Sequence, residues 1–486
     1  MVKSIMVQGT ASNVGKTLIV AALCRIFQED GFSVAPFKAQ NMALNSSITA
    51  DGKEMGRAQV MQAEACGLAP DVRMNPVLLK PTGKNRSQVI VNGVSTGDMA
   101  ASDYFATKAT LVPHIMRAYE SLAAEHDILV LEGAGSPAEI NLKHDDIVNM
   151  GMAKRAHSPV LLLGDIDRGG VFASLAGTML LLDDDERALV KGFIINKFRG
   201  DQAILEPGLR MLEDRLGLPV LGVIPHMDIQ VDDEDSLTGR FLHRAVAPLI
   251  DIAVIRLPYI ANFSDFSALE YQDGVGVRYV SHVSALGQPD LLIIPGSKNT
   301  LHDLRWLKQT GFAAKIHAFA EAGKPVFGIC GGLQMLGRHI SDPHRMEGGE
   351  PGRATETGLA LLPCDTVFQQ EKLCTRTLGT LSPTGGLFAT LSNLPFEGYE
   401  IHMGTSTTPN NLLNHNNVYG TYIHGLFDST PVRSALFHAL LKARNLNPES
   451  LATFDLETFK QEQYTKLAQT VRHSMNIPAL YGIMGM

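Results

Sequence analysis

The chain has 486 residues and a formal net charge of −8 at pH 7, which indicates about two or three domains with ample core. Hydrophobic residues make up 45% and charged residues 19% of it, as in an ordinary globular protein. The negative charge, with no basic stripe to offset it, argues against a nucleic-acid partner. Five cysteines without paired spacing, no signal peptide and no long apolar run predict a cytoplasmic protein with no membrane contact.

The first motif is a glycine loop that follows an apolar strand over residues 4–8. A helical pattern over 18–28 comes after it. Strand, glycine loop and helix are the setting of a phosphate-binding loop, in which backbone amides and the helix N-terminus hold phosphates. We expect Lys16 to contact the terminal phosphates of ATP and Thr17 to hold Mg²⁺; an accidental glycine turn is the alternative. The ATP-binding residues predicted in this loop are Gly9, Thr10, Asn13, Val14, Gly15, Lys16 and Thr17.

Acidic residues end two further apolar strands. Glu132 closes the strand over 127–132, and Asp165 follows the strand over 159–164. Because ligands collect at the carboxyl ends of parallel strands, both are predicted to bind Mg²⁺ together with Thr17. A solvated loop acid is the alternative for Glu132, and helix capping is the alternative for Asp165. Strands near positions 5, 34, 129, 161, 193 and 221, separated by helical stretches, predict a doubly wound parallel sheet.

A thiol lies between a strand and a helix in the second half of the chain. The apolar run 326–329 ends at Cys330, and two glycines and a helical pattern follow. This arrangement is a nucleophile elbow: the glycines permit the sharp turn, and the helix N-terminus favours the reactive thiolate. A buried core cysteine is the alternative. Another strand ends at His424, a candidate base that the fold could bring to the thiol.

The segment Gly328-Ile-Cys-Gly-Gly-Leu-Gln334, with a later histidine at a strand end, resembles the class I glutamine amidotransferases. The resemblance implies that Cys330 attacks the side-chain amide of glutamine, with His424 as the base, and releases ammonia. It also implies that the segment 291–299 helps to form an oxyanion hole. The backbone N–H groups assigned to that hole belong to Gly296, Ser297 and Gly331.

One position departs from the amidotransferase pattern. That family commonly places an acid two residues after the histidine, where this chain has Leu426. A dyad, or an orienting group from elsewhere in the chain, is therefore implied. His402, with Glu400 two residues before it, is left open as an alternative base, although only His424 matches the catalytic strand end of the family.

The N-terminal half carries resemblances of its own. Its loop has one residue more than the usual Walker A spacing and resembles dethiobiotin synthetases, which use ATP to activate a carboxylate; this implies that Asn196 reads the adenine base. The segments 36–46 and 165–170 resemble the cobyric acid synthase family. The residues that this second resemblance places in the ATP and substrate cleft are Lys38, Gln40, Asn41, Asp167 and Arg168.

The resemblance to the cobyric acid synthase family extends from residue 1 to about residue 445 in matching domain order. It implies two doubly wound α/β domains, an N-terminal P-loop sheet and a C-terminal, flavodoxin-like amidotransferase domain. We expect a synthetase domain for ATP and corrinoid over 1–227, an acidic connector over 228–248, the amidotransferase domain over 249–445 and a helical tail over 446–486. Within the tail, the pattern predicts a helix from Leu456 to Ser474. A surface loop is predicted over 342–356.

The implied reaction is the ATP- and glutamine-dependent amidation of the b, d, e and g carboxylates of adenosylcobyrinic acid a,c-diamide through acyl phosphates, in cobalamin biosynthesis. Its cofactors are ATP and Mg²⁺, with no redox cofactor. Cobyrinic acid a,c-diamide synthase is the closest alternative, but the segments at 36–46 and 165–170 favour the first family. Partition-type scaffold ATPases share the variant P-loop, yet they lack a Cys330/His424 domain. The sequence leaves the order of amidations, the ammonia route and the oligomeric state open, with a homo-oligomer among the alternatives.

Overall fold

Two largely parallel sheets, whose central strands are buried, organise the chain. The computed structural model describes residues 2–83, 85–231, 248–347, 355–408, 410–452 and 454–486. Most of the acidic connector predicted over 228–248, and the centre of the surface loop predicted over 342–356, lie outside the described residues.

The first half of the chain contains twelve strands and eight α-helices within the described residues. The strands are β1 (Lys3–Gly9), β2 (Val34–Phe37), β3 (Gln40–Met42), β4 (Ser46–Ile48), β5 (Glu54–Gly56), β6 (Val77–Gly83), β7 (Arg86–Val91), β8 (Val94–Ala100), β9 (Ile128–Glu132), β10 (Val160–Asp165), β11 (Val190–Phe198) and β12 (Val220–Pro225). The helices are α1 (Lys16–Glu29), α2 (Arg57–Ala65), α3 (Ala101–Thr107), α4 (Val112–Glu125), α5 (Met150–Arg155), α6 (Val171–Leu181), α7 (Asp184–Arg187) and α8 (Gln202–Leu216).

Six of these strands form a parallel sheet in the order β12-β11-β10-β1-β9-β2. Alternate residues of β1 enter different apolar cores: Met6 belongs to one core, and Ile5 and Val7 belong to the other. Helices therefore cover both faces, as the continuous apolar strands predicted. The carboxyl ends of β1, β9 and β10 lie side by side, so the glycine loop, Glu132 and Asp165 share one edge of the sheet.

A smaller sheet, β3-β6-β7-β8, extends from this first half. Strands β6, β7 and β8 are antiparallel neighbours, whereas β3 is parallel to β6. Strand β8 is mostly exposed, so its sequence lacks the apolar run that marks the strands of the main sheet.

The second half adds twelve strands and seven α-helices within the described residues. The strands are β13 (Ile250–Ile255), β14 (Ile260–Ala261), β15 (Val275–Val280), β16 (Leu291–Ile294), β17 (Gly296–Ser297), β18 (Val326–Ile329), β19 (His339–Ser341), β20 (Thr355–Thr357), β21 (Asp365–Thr380), β22 (Pro395–Ser406), β23 (Leu413–His415) and β24 (Val418–Thr421). The helices are α9 (Ser267–Glu270), α10 (Thr300–Gln309), α11 (Phe312–Glu321), α12 (Gly331–Leu336), α13 (Thr430–Ala443), α14 (Leu456–Ser474) and α15 (Ile477–Met484).

The second sheet has the order β15-β13-β16-β18-β24-β23, and only its edge strand β23 is antiparallel. Two doubly wound α/β units are therefore present, which confirms the predicted fold class. Strands β21 and β22 belong to a separate sheet of the order β20-β19-β21-β22. This sheet reaches the first half of the chain, where the hydroxyl of Tyr399 donates a hydrogen bond to the carbonyl oxygen of Ser46 at 2.9 Å. The two halves are thus in direct contact.

The C-terminal helices pack mainly against the first half of the chain, although the ring of Phe459 in α14 also lies 5.2 Å from the ring of Tyr271 in the second half. Helix α14 has the bounds that the sequence predicts, and it lies along α1. Its buried residues Tyr464 and Leu467 join the core that contains Ile5 and Val7. The hydroxyl of Tyr464 also donates a hydrogen bond to Glu64 of α2 at 2.8 Å. Among the described residues, none of the helices combines the length and apolar character that crossing a membrane requires.

Candidate active sites

Cys330 occupies the sharp turn between β18 and α12. Its backbone has φ 49° and ψ −106°, a conformation that costs a non-glycine residue energy and is characteristic of functional sites. The turn requires glycine at position 332, because a side-chain carbon there would lie only 2.0 Å from the carbonyl oxygen of Ile294. The strand, turn and helix predicted around this thiol are all present.

The three residues predicted for the oxyanion hole lie together at this turn. A side-chain carbon at Gly331 would lie 2.9 Å from the backbone nitrogen of Ser297. A side-chain carbon at Gly296 would lie 3.4 Å from Cε1 of His424. Strand β17, which holds Gly296 and Ser297, is therefore adjacent both to the elbow and to the histidine, the position that backbone donors for an oxyanion require.

His424 is oriented by Asp265, a residue 159 positions earlier in the chain. Its Nδ1 lies 2.8 Å from Oδ2 of Asp265, and the N–H of Gly425 donates to Oδ1 at 2.9 Å. Both side chains are buried. The Nε2 atom has no hydrogen-bond partner among the described residues, so it is available to a reacting group. The carboxylate supplies what Leu426 cannot, an acceptor that fixes the ring.

The electrostatics of His424 favour an ion pair with the thiol. Burial lowers the pKa of this imidazole, but the Asp265 carboxylate and a Cys330 thiolate outweigh burial and raise it to about 10. A protonated histidine beside a thiolate is the reactive form of a cysteine nucleophile.

His402, the alternative base, has both ring nitrogens occupied. Nδ1 lies 2.7 Å from the carbonyl oxygen of Gly404, and Nε2 lies 3.1 Å from Oε2 of Glu400. The ring also stacks on Tyr422, with centroids 4.0 Å apart. Since neither nitrogen is free to take a proton from the thiol, the geometry favours His424.

Charged residues surround the small cavity, about 50 Å³, in front of Cys330. Three lysines line it, and one of them, Lys80, comes from β6 in the first half of the chain. Burial, followed by the charges of Lys372 and Lys80, lowers the pKa of Lys298 to about 7. Burial raises the pKa of Glu347 to about 8, and this carboxyl accepts hydrogen bonds from Thr300 and from the N–H of Leu301. The cavity thus holds amine groups and a carboxyl group side by side.

The glycine loop wraps the N-terminus of α1. Lys16 begins the helix, and its Nζ donates to the carbonyl oxygens of Ala11 and Gly135 at 3.1 Å each. Asn196 lies beneath the loop and donates from Nδ2 to the carbonyl oxygen of Val14 at 2.8 Å. The loop predicted from sequence is therefore held in shape by its own lysine and by a neighbouring strand.

Glu132 is the centre of a buried polar cluster at the edge of the sheet. Its carboxylate accepts hydrogen bonds from Thr17 at 2.9 Å, from Lys38 at 2.7 Å and from Gln62 at 2.6 Å. A hydroxyl and a carboxylate in contact suit a hard cation such as Mg²⁺. No group of three or more His, Cys, Asp or Glu residues that could hold a metal occurs in the described part of the chain.

Asp165 faces a lysine and not the Glu132 cluster. Its Oδ2 accepts a hydrogen bond from Lys197 at 2.8 Å, and Lys197 also donates to the carbonyl oxygen of Asn13 in the loop at 2.6 Å. Asp167 and Arg168 are exposed on the following turn, where Asp167 lies 3.3 Å from Arg199. Asp167 and Arg168 are therefore not part of the Glu132 cluster.

A cavity of about 680 Å³ opens beside the loop. Of the predicted cleft residues, it is lined by Lys38, Gln40 and Asn41, and not by Asp167 or Arg168. The other lining residues include apolar side chains and two lysines, namely Met42, Leu79, Met99, Tyr104, Phe105, Lys108 and Lys143. Three acids, Glu139, Asp146 and Glu186, also line it. The composition therefore suits a large ligand that is apolar in part and polar or charged in part.

The two halves of the chain match two family models. Residues 5–235 match the CobQ/CobB/MinD/ParA nucleotide binding domain, and residues 251–432 match the CobB/CobQ-like glutamine amidotransferase domain. The glycine loop lies in the first match, and the Cys330 elbow with His424 and Asp265 lies in the second.

Several relatives match this chain over nearly its whole length. A cobyric acid synthase of Ruminiclostridium cellulolyticum is 54% identical, over 100% of this chain and 97% of the relative. Those of Lachnoclostridium phytofermentans and Yersinia enterocolitica are 52% and 51% identical, over 100% and 99% of this chain and over 99% and 98% of the relatives. This chain belongs to the cobyric acid synthase family.

Three residues of the two sites have roles that were not predicted from the sequence. Asp265 lies in the segment 263–266, and no spacing rule connects that segment to His424. Lys197 follows Asn196 at the end of β11, and Gln62 lies on α2. The signal that could have drawn attention to Asp265 is a carboxylate between two phenylalanines, because a buried acid requires a partner.

Proposed function

We propose that the chain hydrolyses glutamine at Cys330 and uses the ammonia, with ATP, to amidate the b, d, e and g carboxylates of adenosylcobyrinic acid a,c-diamide. It is a glutamine-hydrolysing carbon–nitrogen ligase. One observation carries the proposal: a Cys330–His424–Asp265 triad and a phosphate-binding loop occur in one chain that is about half identical, over its whole length, to cobyric acid synthases. We assign the synthetase role to residues 1–227 and the glutaminase role to residues 249–445, joined by the connector 228–248; 446–486 form the tail.

In the glutaminase site, Sγ of Cys330 would attack the amide carbon of glutamine. The oxygen that becomes negative would face the backbone N–H groups at Ser297 and Gly331. His424 would give its proton to the departing ammonia and then take a proton from the water that hydrolyses the thioester. The products are glutamate and ammonia, and Asp265 would keep the imidazole in one orientation throughout.

In the synthetase site, a substrate carboxylate oxygen would attack the terminal phosphorus of ATP, giving an acyl phosphate and ADP. Ammonia would then add to the acyl carbon, and phosphate would leave. Lys16 would stabilise the phosphate charge. Lys38 lies at the same edge of the sheet, where it donates a hydrogen bond to Glu132. Thr17 and Glu132 would hold Mg²⁺, which neutralises phosphate charge when bound.

The cavity beside the loop is our proposed site for the corrinoid. Its apolar side chains would lie against the flat macrocycle, and its lysines would pair with peripheral carboxylates.

The thiol chemistry also suits a reducing cytoplasm, because none of the five cysteines forms a disulfide in the structure.

The first test replaces the thiol. Cys330→Ala should abolish amide formation from glutamine and leave amide formation from ammonium chloride intact, because the thiol serves only to release ammonia. Mass spectrometry of the corrinoid after incubation with ATP and either nitrogen source measures both activities. A folded variant that also loses ammonium-dependent synthesis would contradict the two-site proposal.

The second test replaces the loop lysine. Lys16→Ala should remove synthesis with either nitrogen source, since one such phosphate clamp contributes several kcal/mol to the transition state. Glutamate release, measured separately, should persist. Near-normal synthesis from ammonium chloride would overturn the assignment of the loop.

A further inference from the structure

A further cavity, of about 490 Å³, adjoins the cavity beside the glycine loop. We call it the Asn92 cavity; strands β7 and β8 line one side of it, and the segment 104–114 lines the other. Val89 of β7 lines the Asn92 cavity and is the cross-strand partner of Leu79 of β6, which lines the larger cavity. Because directly paired side chains lie on the same face of a sheet, both cavities open on one face of the sheet β3-β6-β7-β8.

Two side chains form the boundary between these cavities. Met99 and Tyr104 line both of them. The hydroxyl of Tyr104 donates a hydrogen bond to Gln40, which lines the larger cavity, and Tyr104 is buried. Met99 is only partly buried, and an unbranched methionine side chain changes its rotamer without moving the backbone. A ligand in the larger cavity can therefore extend one group past Met99 into the Asn92 cavity.

The two cavities differ in charge. Three lysines and three acids line the larger cavity, whereas no Asp, Glu, Lys or Arg occurs among the described residues that line the Asn92 cavity. Its lining combines apolar side chains with three threonines, Asn92 and His114. Such a lining suits an uncharged group that has apolar faces and hydrogen-bonding atoms. A carboxylate or a phosphate would lose its hydration there without gaining a charged partner.

Asn92 offers a carboxamide at a position that the backbone fixes. Asn92 and Gly93 form the two-residue turn between β7 and β8 and have positive φ values of 49° and 77°, as a type I′ hairpin turn requires. Nδ2 of Asn92 makes only a long contact, 3.5 Å, with Nδ1 of His114. A side-chain carboxamide can accept a hydrogen bond from the exocyclic amine of adenine and donate one to its N7. The turn thus holds a group that can recognise adenine.

The corrinoid of the proposed function has one group with the matching chemistry. Its carboxylates and amides lie around the edge of the macrocycle, whereas its adenosyl group is an uncharged nucleoside bonded to the cobalt. We propose, on the basis of the proposed function, that the Asn92 cavity binds this adenosyl group while the macrocycle occupies the larger cavity. The adenine of ATP is not the occupant, because Ser12 and Asn13 of the glycine loop line the larger cavity and, of residues 9–17, none lines the Asn92 cavity.

The test compares two forms of one corrinoid. Isothermal titration calorimetry gives the Kd of the a,c-diamide in its adenosyl form and in its cyano form, which has the same macrocycle and carboxylates but no nucleoside. Thr110→Phe places a ring at an exposed position that lines the Asn92 cavity. Ala109→Phe adds the same ring at the neighbouring exposed position, which lines neither cavity, and it serves as the matched control.

Wild type and Ala109→Phe should bind the adenosyl form more tightly than the cyano form. Thr110→Phe should raise the Kd of the adenosyl form by about tenfold or more, the lower end of what one group in a pocket contributes to discrimination. It should leave the Kd of the cyano form within about twofold. Asn92→Gly keeps the turn and removes the carboxamide; it should shift the adenosyl form in the same direction and decides the matter if Thr110→Phe does not fold.

Equal changes in Kd for the two forms would place the edge of the macrocycle in the Asn92 cavity and overturn the proposal. Unchanged Kd values in the folded variants, or equal affinity of wild type for the two forms, would overturn it as well. A raised KM for ATP in Thr110→Phe at saturating corrinoid would show that ATP is the occupant. Absence of any amide from wild type with ATP and glutamine would instead contradict the proposed function.

Discussion

At the scale of single residues, the chain replaces a missing acid with a distant one. Leu426 stands at the position two residues after the histidine and is buried among apolar side chains. Asp265 takes over the orienting role, because it accepts a hydrogen bond from the ring of His424 and another from the backbone of Gly425. Two donors on one carboxylate fix both its position and the plane of the imidazole. The same chemistry is thus reached from a different part of the chain.

Asp265→Asn should lower the glutaminase kcat by about a hundredfold or more, because an amide can stabilise the wrong tautomer and cannot stabilise the imidazolium. Glu400→Gln, which alters the partner of His402, is the matched control and should keep kcat within a few-fold. Glutamate release by both variants measures the effect. Equal losses in the two variants would show that His402 participates.

The His424–Asp265 pair should also make stability depend on pH. The folded pKa of His424 is about 10, above the ordinary value of about 6.5. A raised folded pKa gives stabilisation that is fully present below about pH 6.5 and is lost as the pH rises through about 10. The difference in unfolding free energy between wild type and Asp265→Asn should therefore shrink over that range. Urea unfolding at several pH values measures it, and a constant difference would exclude the ion pair.

Local sequence is enough to predict chemistry only where the reacting group belongs to a local element. Cys330 and Lys16 each lie in a strand–turn–helix unit, so their neighbours in sequence are also their neighbours in space. Asp265 and Lys197 act on residues that only the completed fold brings to them. For this reason the nucleophile and the loop were predictable, whereas their supporting residues were not.

At the scale of elements, the strands of the first main sheet and the central strands of the second were predictable because they are mostly apolar. The sheet β3-β6-β7-β8 was not, since its outer strand is largely exposed and carries a mixed sequence. The helix α14 was predicted with its bounds, but its docking site was not, because amphipathic spacing shows that a face is buried and does not show what buries it. The structure places that face on α1.

Leu467→Ala, in α14, should reduce the free energy of unfolding by about 3 kcal/mol, since the side chain is fully buried in the core shared with α1. Glu462→Ala changes an exposed position of the same helix and should cost less than about 0.5 kcal/mol. Urea denaturation monitored by circular dichroism checks both values. A small effect at Leu467 would mean that α14 is not part of the folding unit.

At the scale of the whole molecule, one short segment connects the two sites. It begins at Lys38, which bonds Glu132 at the nucleotide edge, and it continues to Asn45 and Ser46. There it meets the glutaminase half through a reciprocal pair of hydrogen bonds: Phe263 N–H donates to Asn45 at 2.9 Å, and Ser46 N–H donates to Asn262 at 3.1 Å. Asp265 lies only two residues beyond Phe263, so the segment supports the turn that carries it.

Asn45→Ala should therefore weaken glutamine hydrolysis although Asn45 lies in the synthetase half. Loss of the bond to Phe263 leaves a buried N–H without its acceptor, and the turn that holds Asp265 loses one of its supports. The cost is about 1 kcal/mol, which corresponds to a roughly fivefold lower kcat.

Ser102→Ala, at an exposed position of α3, is the control and should leave glutamate release unchanged. Measuring kcat for glutamate release with and without ATP and corrinoid gives a second comparison: wild type should respond to the ligands more strongly than the variant, because Lys38 and Asn45 lie on the same segment. Equal rates and equal responses in wild type and Asn45→Ala would show that the glutaminase turn is held by its own half of the chain alone.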